Sequence, residues 1–165
     1  MNKELRINNQ NQGIILVEAM IAISVLITGI LGIFTLMSRS LSLNRVIMDQ
    51  ETAVNLAAEG IELVKNKLDG NILQKLPWNS GINNGDYEID FDKEELMPYD
   101  NRKFSYDASN GQYAYGAGVP TKFARIIKIE MLGTDEMKVN SLVTWITRGS
   151  GNFSINLEDR FFNWR

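Results

Sequence analysis

Hydrophobic and polar positions follow four successive patterns along this chain. Residues 1–13 (MNKELRINNQNQG) are polar. An apolar run opens at Ile14-Ile15-Leu16-Val17, is interrupted by Glu18, and continues over residues 19–37 without a charge. A hydrocarbon layer about 30 Å thick needs roughly 20 helical residues to cross it, so residues 14–38 are long enough for one span. Over residues 41–68 the pattern changes to a helical period. Ala53, Leu56, Ala57, Gly60, Ile61, Val64 and Leu68 fall on one face, and Glu51, Asn55, Glu59, Glu62, Lys65 and Asn66 take the other. No proline interrupts either stretch, so residues 14–68 are predicted to form one helix. Asp69-Gly70-Asn71 supplies the stop, with Gly70 expected as a left-handed cap.

Beyond that stop the period shortens to two. Residues 71–84 read as loop, and Tyr87-Glu88-Ile89-Asp90-Phe91 alternates as a half-buried strand. Residues 92–118, rich in Asp, Asn, Gly and Tyr, are expected to be irregular. Strands follow over 123–131, 137–147 and 153–157, joined by the turn sequences Gly133-Thr134-Asp135 and Gly149-Ser150-Gly151. The apolar face of this antiparallel sheet (Val139, Val143, Trp145, Phe153, Ile155, Leu157) needs a cover, and the amphipathic helix half provides one. The expected class is α+β. Its expected segments are 1–13, a polar leader; 14–38, a membrane helix; 39–69, an amphipathic helix half; and 70–165, a globular β domain.

Composition narrows the chemistry. The net charge of −3 gives no clustered basic surface for nucleic acid. Cysteine and histidine are both absent, which removes thiolate metal sites and the commonest general base. An enzyme, a metal and a cofactor are therefore not expected. Asp86, Asp90, Asp92, Glu94, Glu95 and Asp100 form an acidic stretch, but they lack the order of a calcium loop and read as a solvated edge. Tyr99, Tyr106, Tyr113 and Tyr115 read as anchors for an irregular loop, and Trp78, Trp145 and Trp164 as packing.

The N-terminal pattern allows three readings. A cleaved secretory signal would carry a shorter apolar stretch and a small-residue site at its far end, whereas Met37-Ser38-Arg39-Ser40 offers none. A plain signal anchor leaves Glu18 unexplained, because a carboxylate inside a span costs about 2.5 kcal/mol or more and implies a partner or a function. The third reading comes from a family: Gly13-Ile14-Ile15-Leu16-Val17-Glu18 resembles the prepilin motif of type IV pilin-like proteins. That family usually has Phe after the cut, where this chain has Ile14. The resemblance implies cleavage between Gly13 and Ile14 by prepilin peptidase, methylation of the new amine, and pairing of Glu18 with the amine of a neighbouring subunit. It also implies the pilin fold, an inner-membrane assembly platform as a partner, and passage from the cytoplasmic membrane into an extracellular or periplasmic filament. Lys3 and Arg6 favour a cytoplasmic leader.

The likeness extends to Ala53-x-x-Leu56-Ala57-x-Glu59-Gly60-Ile61-Glu62-Leu63-Val64, to residues 118–127, and to the closing Phe161-Phe162-Asn163-Trp164-Arg165, which resemble PilV-type minor pilins. A type II secretion pseudopilin and an uncleaved, single-pass anchored binding protein are the alternatives. Within the apolar run, Ser24, Thr28 and Gly32 recur every four residues. That spacing lets helices approach closely, although small residues are common in any membrane helix. Gly29 and Gly32 together mark where a stretched helical segment is expected.

Overall fold

A computed structural model of the chain describes residues 10–91, 95–147 and 151–163, with side chains from Gly13 onward. Residues 1–9, including Lys3 and Arg6, lie outside the described residues, as do Asp92, Glu94, Gly149, Ser150, Trp164 and Arg165. One helix and seven strands make up the described chain: α1 (Gln10–Leu73), β1 (Gly85–Ile89), β2 (Leu96–Pro98), β3 (Lys103–Asp107), β4 (Gln112–Ala114), β5 (Val119–Met131), β6 (Glu136–Thr147) and β7 (Gly151–Phe162). The chain divides into two compact units, one ending at Arg45 and one beginning at Val46. The architecture is α+β, an N-terminal helix and an antiparallel sheet.

The first unit is helical from Gln10 onward. The helix runs unbroken through Gly29 and Gly32, so the stretched segment expected there is absent. The hydroxyls of Ser24, Thr28 and Thr35 donate to the carbonyls of Met20, Ser24 and Leu31, four residues back, at 2.7–2.8 Å. Each hydroxyl is thereby satisfied inside its own helix.

The second unit is built on β5. All pairs are antiparallel. β6 lies along one side of β5 from Ala124↔Thr144 to Met131↔Met137, and β7 lies outside β6. The other side of β5 is shared. β1 pairs with its C-terminal half (Tyr87↔Ile127) and β3 with its N-terminal half (Lys103↔Ala124), with β2 and β4 added outside them. The strands predicted over 123–131, 137–147 and 153–157 are present and longer than expected, whereas the one predicted over 87–91 is β1, of the same five-residue length but two positions earlier. Residues 92–118, expected to be irregular, contain β2, β3 and β4; two of these have three residues, too short for a period-two signal to register. The Gly133 turn joins β5 to β6, with Gly133 at φ +100.

The helix covers the inward face of the sheet through two clusters. Ala53, Leu56 and Ala57 meet Phe104, Phe123, Val143 and Trp145. Leu63, Val64 and Leu68 meet Ile82, Ile89, Ile127, Ile129, Met137 and Val139. Gly60 stands between them in sequence. A Cβ built there would sit 2.6 Å from both Ile127 Cδ1 and Ser141 Oγ, so glycine is what allows helix and sheet to touch.

The helix does not stop at Gly70. It continues to Leu73, and the left-handed residue is Lys75, at φ 59. The Leu76 N–H donates to the Asn71 carbonyl at 2.9 Å and the Lys75 N–H to that of Ile72 at 3.0 Å, the paired bonds of a Schellman cap with lysine where glycine is usual. Asn71 explains the extension. Its Nδ2 donates to the carbonyls of Trp78 and Ser80 at 3.0 and 2.9 Å, tying the following loop to the last turn.

Two glycines therefore carry opposite expectations. Gly60→Ala is expected to lower stability by about 1–3 kcal/mol through overpacking. Gly70→Ala, with open space around its Cβ and ordinary helical backbone, is expected to raise it by about 0.5–1 kcal/mol. Urea unfolding of the full chain in detergent, followed by tryptophan fluorescence, measures both.

Candidate functional site

The first unit presents a surface that water does not favour. From Ile14 to Met37 the large apolar side chains are all exposed, Ile14 at 68% and Phe34 at 65% among them. An 18-residue window here reaches a mean hydropathy of 2.6 with none of it buried, long and apolar enough to cross a membrane. Burial of such a surface stabilises by roughly 25 cal/mol per Å², so it demands lipid or another apolar partner.

Glu18 is the one ionisable group from Ile14 to Met37. It lies four residues after Ile14, and positions i and i+4 share a helix face. Gly13, Ile14, Val17, Glu18, Ile21 and Ala22 line one shallow groove along that face. The junction between Gly13 and Ile14 lies within regular helix, and a side chain at Gly13 would have nothing within 4 Å. Neither a turn, a positive φ nor a close contact asks for glycine there, although glycine costs a helix up to about 1 kcal/mol. The same holds for Gly29 and Gly32, each with open space around it. Ser24, Val25, Thr28 and Gly29 line a second shallow notch. The structure thus sets Gly13, Ile14 and Glu18 together, and separates them from the small-residue group Ser24, Thr28, Gly29 and Gly32.

The second unit holds a buried polar network that the alternating pattern of residues 87–91 did not suggest. That pattern would bury Phe91, which is 52% exposed, while Glu88 and Asp90 are 0% and 4% exposed. Glu88 is buried because its partners come to it. Its Oε1 accepts from the N–H groups of Asp100 and Arg102 at 3.1 and 2.9 Å, and its Oε2 pairs with Arg102 Nε. Asp90 Oδ2 faces the Tyr115 N–H at 3.4 Å. Of the acidic stretch, Asp86, Glu95 and Asp100 are exposed. No group of three carboxylates among the described residues is placed to hold a metal.

Arg125, 1% exposed, is the centre of this network. Its Nη1 donates to the Leu56 carbonyl at 2.6 Å and to Glu59 Oε1 at 3.2 Å, and its Nη2 donates to the Ile89 carbonyl at 2.7 Å. One guanidinium thus joins α1, β1 and β5. Phe104 and Tyr115 stack at 4.5 Å, and each is covered by a guanidinium: Arg125 lies 4.9 Å from the Phe104 centroid and Arg102 4.7 Å from that of Tyr115. Tyr106 and Tyr113 also meet, with ring centroids 5.1 Å apart. Trp145 stacks on Phe153 at 5.6 Å, and Trp78 packs against the second cluster. The contacts of Phe104, Tyr115, Arg102, Tyr106 and Tyr113 fasten the segment between β2 and β5 to the rest of the unit. Most of the polar groups here are engaged with one another, although Asp90 Oδ1, Arg125 Nε, Ser141 Oγ and Trp145 Nε1 are buried without a hydrogen-bond partner among the described residues.

The Tyr115 hydroxyl is buried without a partner among the described residues. Burial, opposed by the Arg125 charge, pushes its ionisation above the ordinary value of 10.0. The folded state therefore keeps a proton that the unfolded chain releases above that value, so stability is intact below pH 10 and falls as the pH rises beyond it. Tyr115→Phe is expected to leave stability near neutral pH unchanged or about 1 kcal/mol higher, and to reduce the alkaline loss. Denaturation midpoints measured across that pH range test this.

No family model, curated protein or solved structure matches this chain.

Proposed function

We propose that this chain is a processed subunit of a type IV pilus-like filament, cut between Gly13 and Ile14 and assembled through its N-terminal helix. The observation that carries the reading is the lone carboxylate of Glu18 in an otherwise apolar, exposed helical surface, one turn beyond a glycine that the fold does not need. A carboxylate in a lipid-facing segment calls for a cation nearby. Cleavage after Gly13 makes one, the free amine of Ile14, at the depth of Glu18. Glycine at position 13 is then explained by what a peptidase must accommodate in its site rather than by the helix.

The helix end that cleavage frees carries the positive end of the helix dipole as well as the amine, which strengthens the demand for a facing anion. In a filament, Glu18 of one subunit meets the Ile14 amine of its neighbour, and the apolar surfaces cover one another where lipid covered them before. Prepilin peptidase, sibling subunits and an assembly platform in the inner membrane are the partners of this reading. Within it the likeness to PilV-type sequences favours a minor subunit over a secretion pseudopilin. The C-terminal sheet would face outward from the fibre, in the periplasm or beyond the cell.

Mass spectrometry of the protein isolated from membranes is expected to find an N-terminus at methylated Ile14. An intact leader beginning at Met1 would instead indicate a permanently anchored, single-pass binding protein. Glu18→Ala is expected to insert and be cleaved normally, yet to be recovered in sheared filaments at least tenfold less than wild type, the loss of about 1.4 kcal/mol or more per contact. Wild-type recovery in filaments would refute the pairing.

A further inference from the structure

The two edges of the sheet differ. One is divided between β2 and β4, three residues each, and Pro98 closes β2. Short strands and proline are how sheets keep their edges from recruiting other strands. The other edge is β7, twelve residues long, which pairs with β6 from Gly151 to Phe162 and with no other strand among the described residues. Its first part, residues 151–157 (GNFSINL), has neither charge nor proline. Phe153, Ile155 and Leu157 point inward but are only half-buried against the first core cluster. The charges of β7 gather at Glu158, Asp159 and Arg160. Two of them are engaged within the sheet, Glu158 with Asn140 at 3.2 Å and Arg160 with Glu136 at 2.9 Å. A long edge whose first seven residues are uncharged and carry half-covered apolar side chains is a template for another strand.

We propose that this edge binds a second copy of the chain, β7 against β7, antiparallel and centred on Ile155. Side-chain complementarity selects both the occupant and the register. A two-fold axis through Ile155 keeps inward faces together. It sets Ile155 opposite the partner's Ile155, and Phe153 opposite the partner's Leu157, so two half-covered stripes become one apolar face. On the outward face it sets Ser154 opposite the partner's Asn156 and Asn152 opposite the partner's Glu158. No two charges are opposed. Moving the axis to Leu157 would place Asp159 against the partner's Ile155, and moving it to Asp159 would oppose two carboxylates, which cross-strand pairing disfavours. Moving it to Phe153 would leave little strand to pair. The pairing stands apart from the filament reading, since it uses only the sheet.

The native chain has no cysteine, so single introduced cysteines report the register without ambiguity. Opposed residues of paired strands have Cα atoms about 4.5–5.5 Å apart, within disulfide reach. In full-length protein in detergent, mild oxidation of Ile155→Cys is expected to give a covalent dimer. Phe153→Cys and Leu157→Cys should each stay monomeric alone and cross-link when mixed. Ser154→Cys mixed with Asn156→Cys should also cross-link, and these outward positions leave the core untouched, so they test the pairing even if the inward variants fold poorly. Adding Asn152→Pro to the Ile155→Cys chain should cut dimer yield by about tenfold, because proline blocks an edge from recruiting a strand. Absence of cross-linking in both the Ile155→Cys and the Ser154/Asn156 arms would overturn the proposal. So would a Leu157→Cys chain that cross-links with itself as readily as Ile155→Cys.

Discussion

A guanidinium shut away from water depends on the protein for its hydrogen bonds, and Arg125 makes three, to a carbonyl and a carboxylate of α1 and to a carbonyl of β1, while its Nε has no partner among the described residues. Removing a charged group from water costs several kcal/mol unless its partners are well placed, so this arginine tolerates only one position of α1 against β1 and β5. Gly60 sits four residues after the carbonyl that Arg125 grips at Leu56, and its missing side chain is what lets the helix come near enough for that grip. The two apolar clusters lie before and after Gly60 in α1 and inherit their alignment from it. Lys122 and Thr147 extend the same logic toward the start of the unit, both bonded to the Asp49 carboxylate of α1.

α1 contains five glycines, and four of them, Gly70 near its end aside, divide by their surroundings. Gly60 is demanded by contact within the fold, whereas Gly13, Gly29 and Gly32 meet nothing within 4 Å. A helix that carries weakening residues without an internal reason points to reasons outside the chain. For Gly13 the filament reading names a peptidase; for Gly29 and Gly32 it names the close approach of other helices. Glu18 fits the same division, an ionisable group with no described partner that its own unit could offer.

Much of this was legible in the sequence, and the exceptions share a cause. The helical stripe Ala53 to Leu68 and strands β5, β6 and β7 declare themselves because their periods persist over many residues. Leu63 is buried beside Val64 although it lies off the predicted stripe, because the sheet is wider than a partner helix would be. Strands β2, β3 and β4 hold their places through Phe104, Tyr115 and Arg102, whose contacts a linear pattern does not encode. Glu88 looks like a solvent-facing position until Arg102, fourteen residues later, is brought to it. Gly70 was the better cap by residue type, yet Asn71 bonds to the loop at Trp78 and Ser80 and carries the helix on to Leu73. Of the candidate site, Glu18 stands out in the sequence as a lone charge in an apolar run, whereas Gly13 and Ile14 are singled out by the resemblance to the prepilin motif.

The reach of the Arg125 contacts has a temporal consequence. Its bond to Leu56 joins residues 69 positions apart, and Thr147 meets Asp49 across 98. Closing loops of that length precedes any return from the contacts they make, which places this topology among the slower folders. During synthesis the amphipathic stretch of α1 leaves the ribosome long before β5 and β6 exist to cover it. For that interval its stripe of Ala53, Leu56, Ala57, Ile61, Val64 and Leu68 stays uncovered. The nascent chain is therefore at its most adhesive when it is least complete, and its C-terminal strands decide when that period ends.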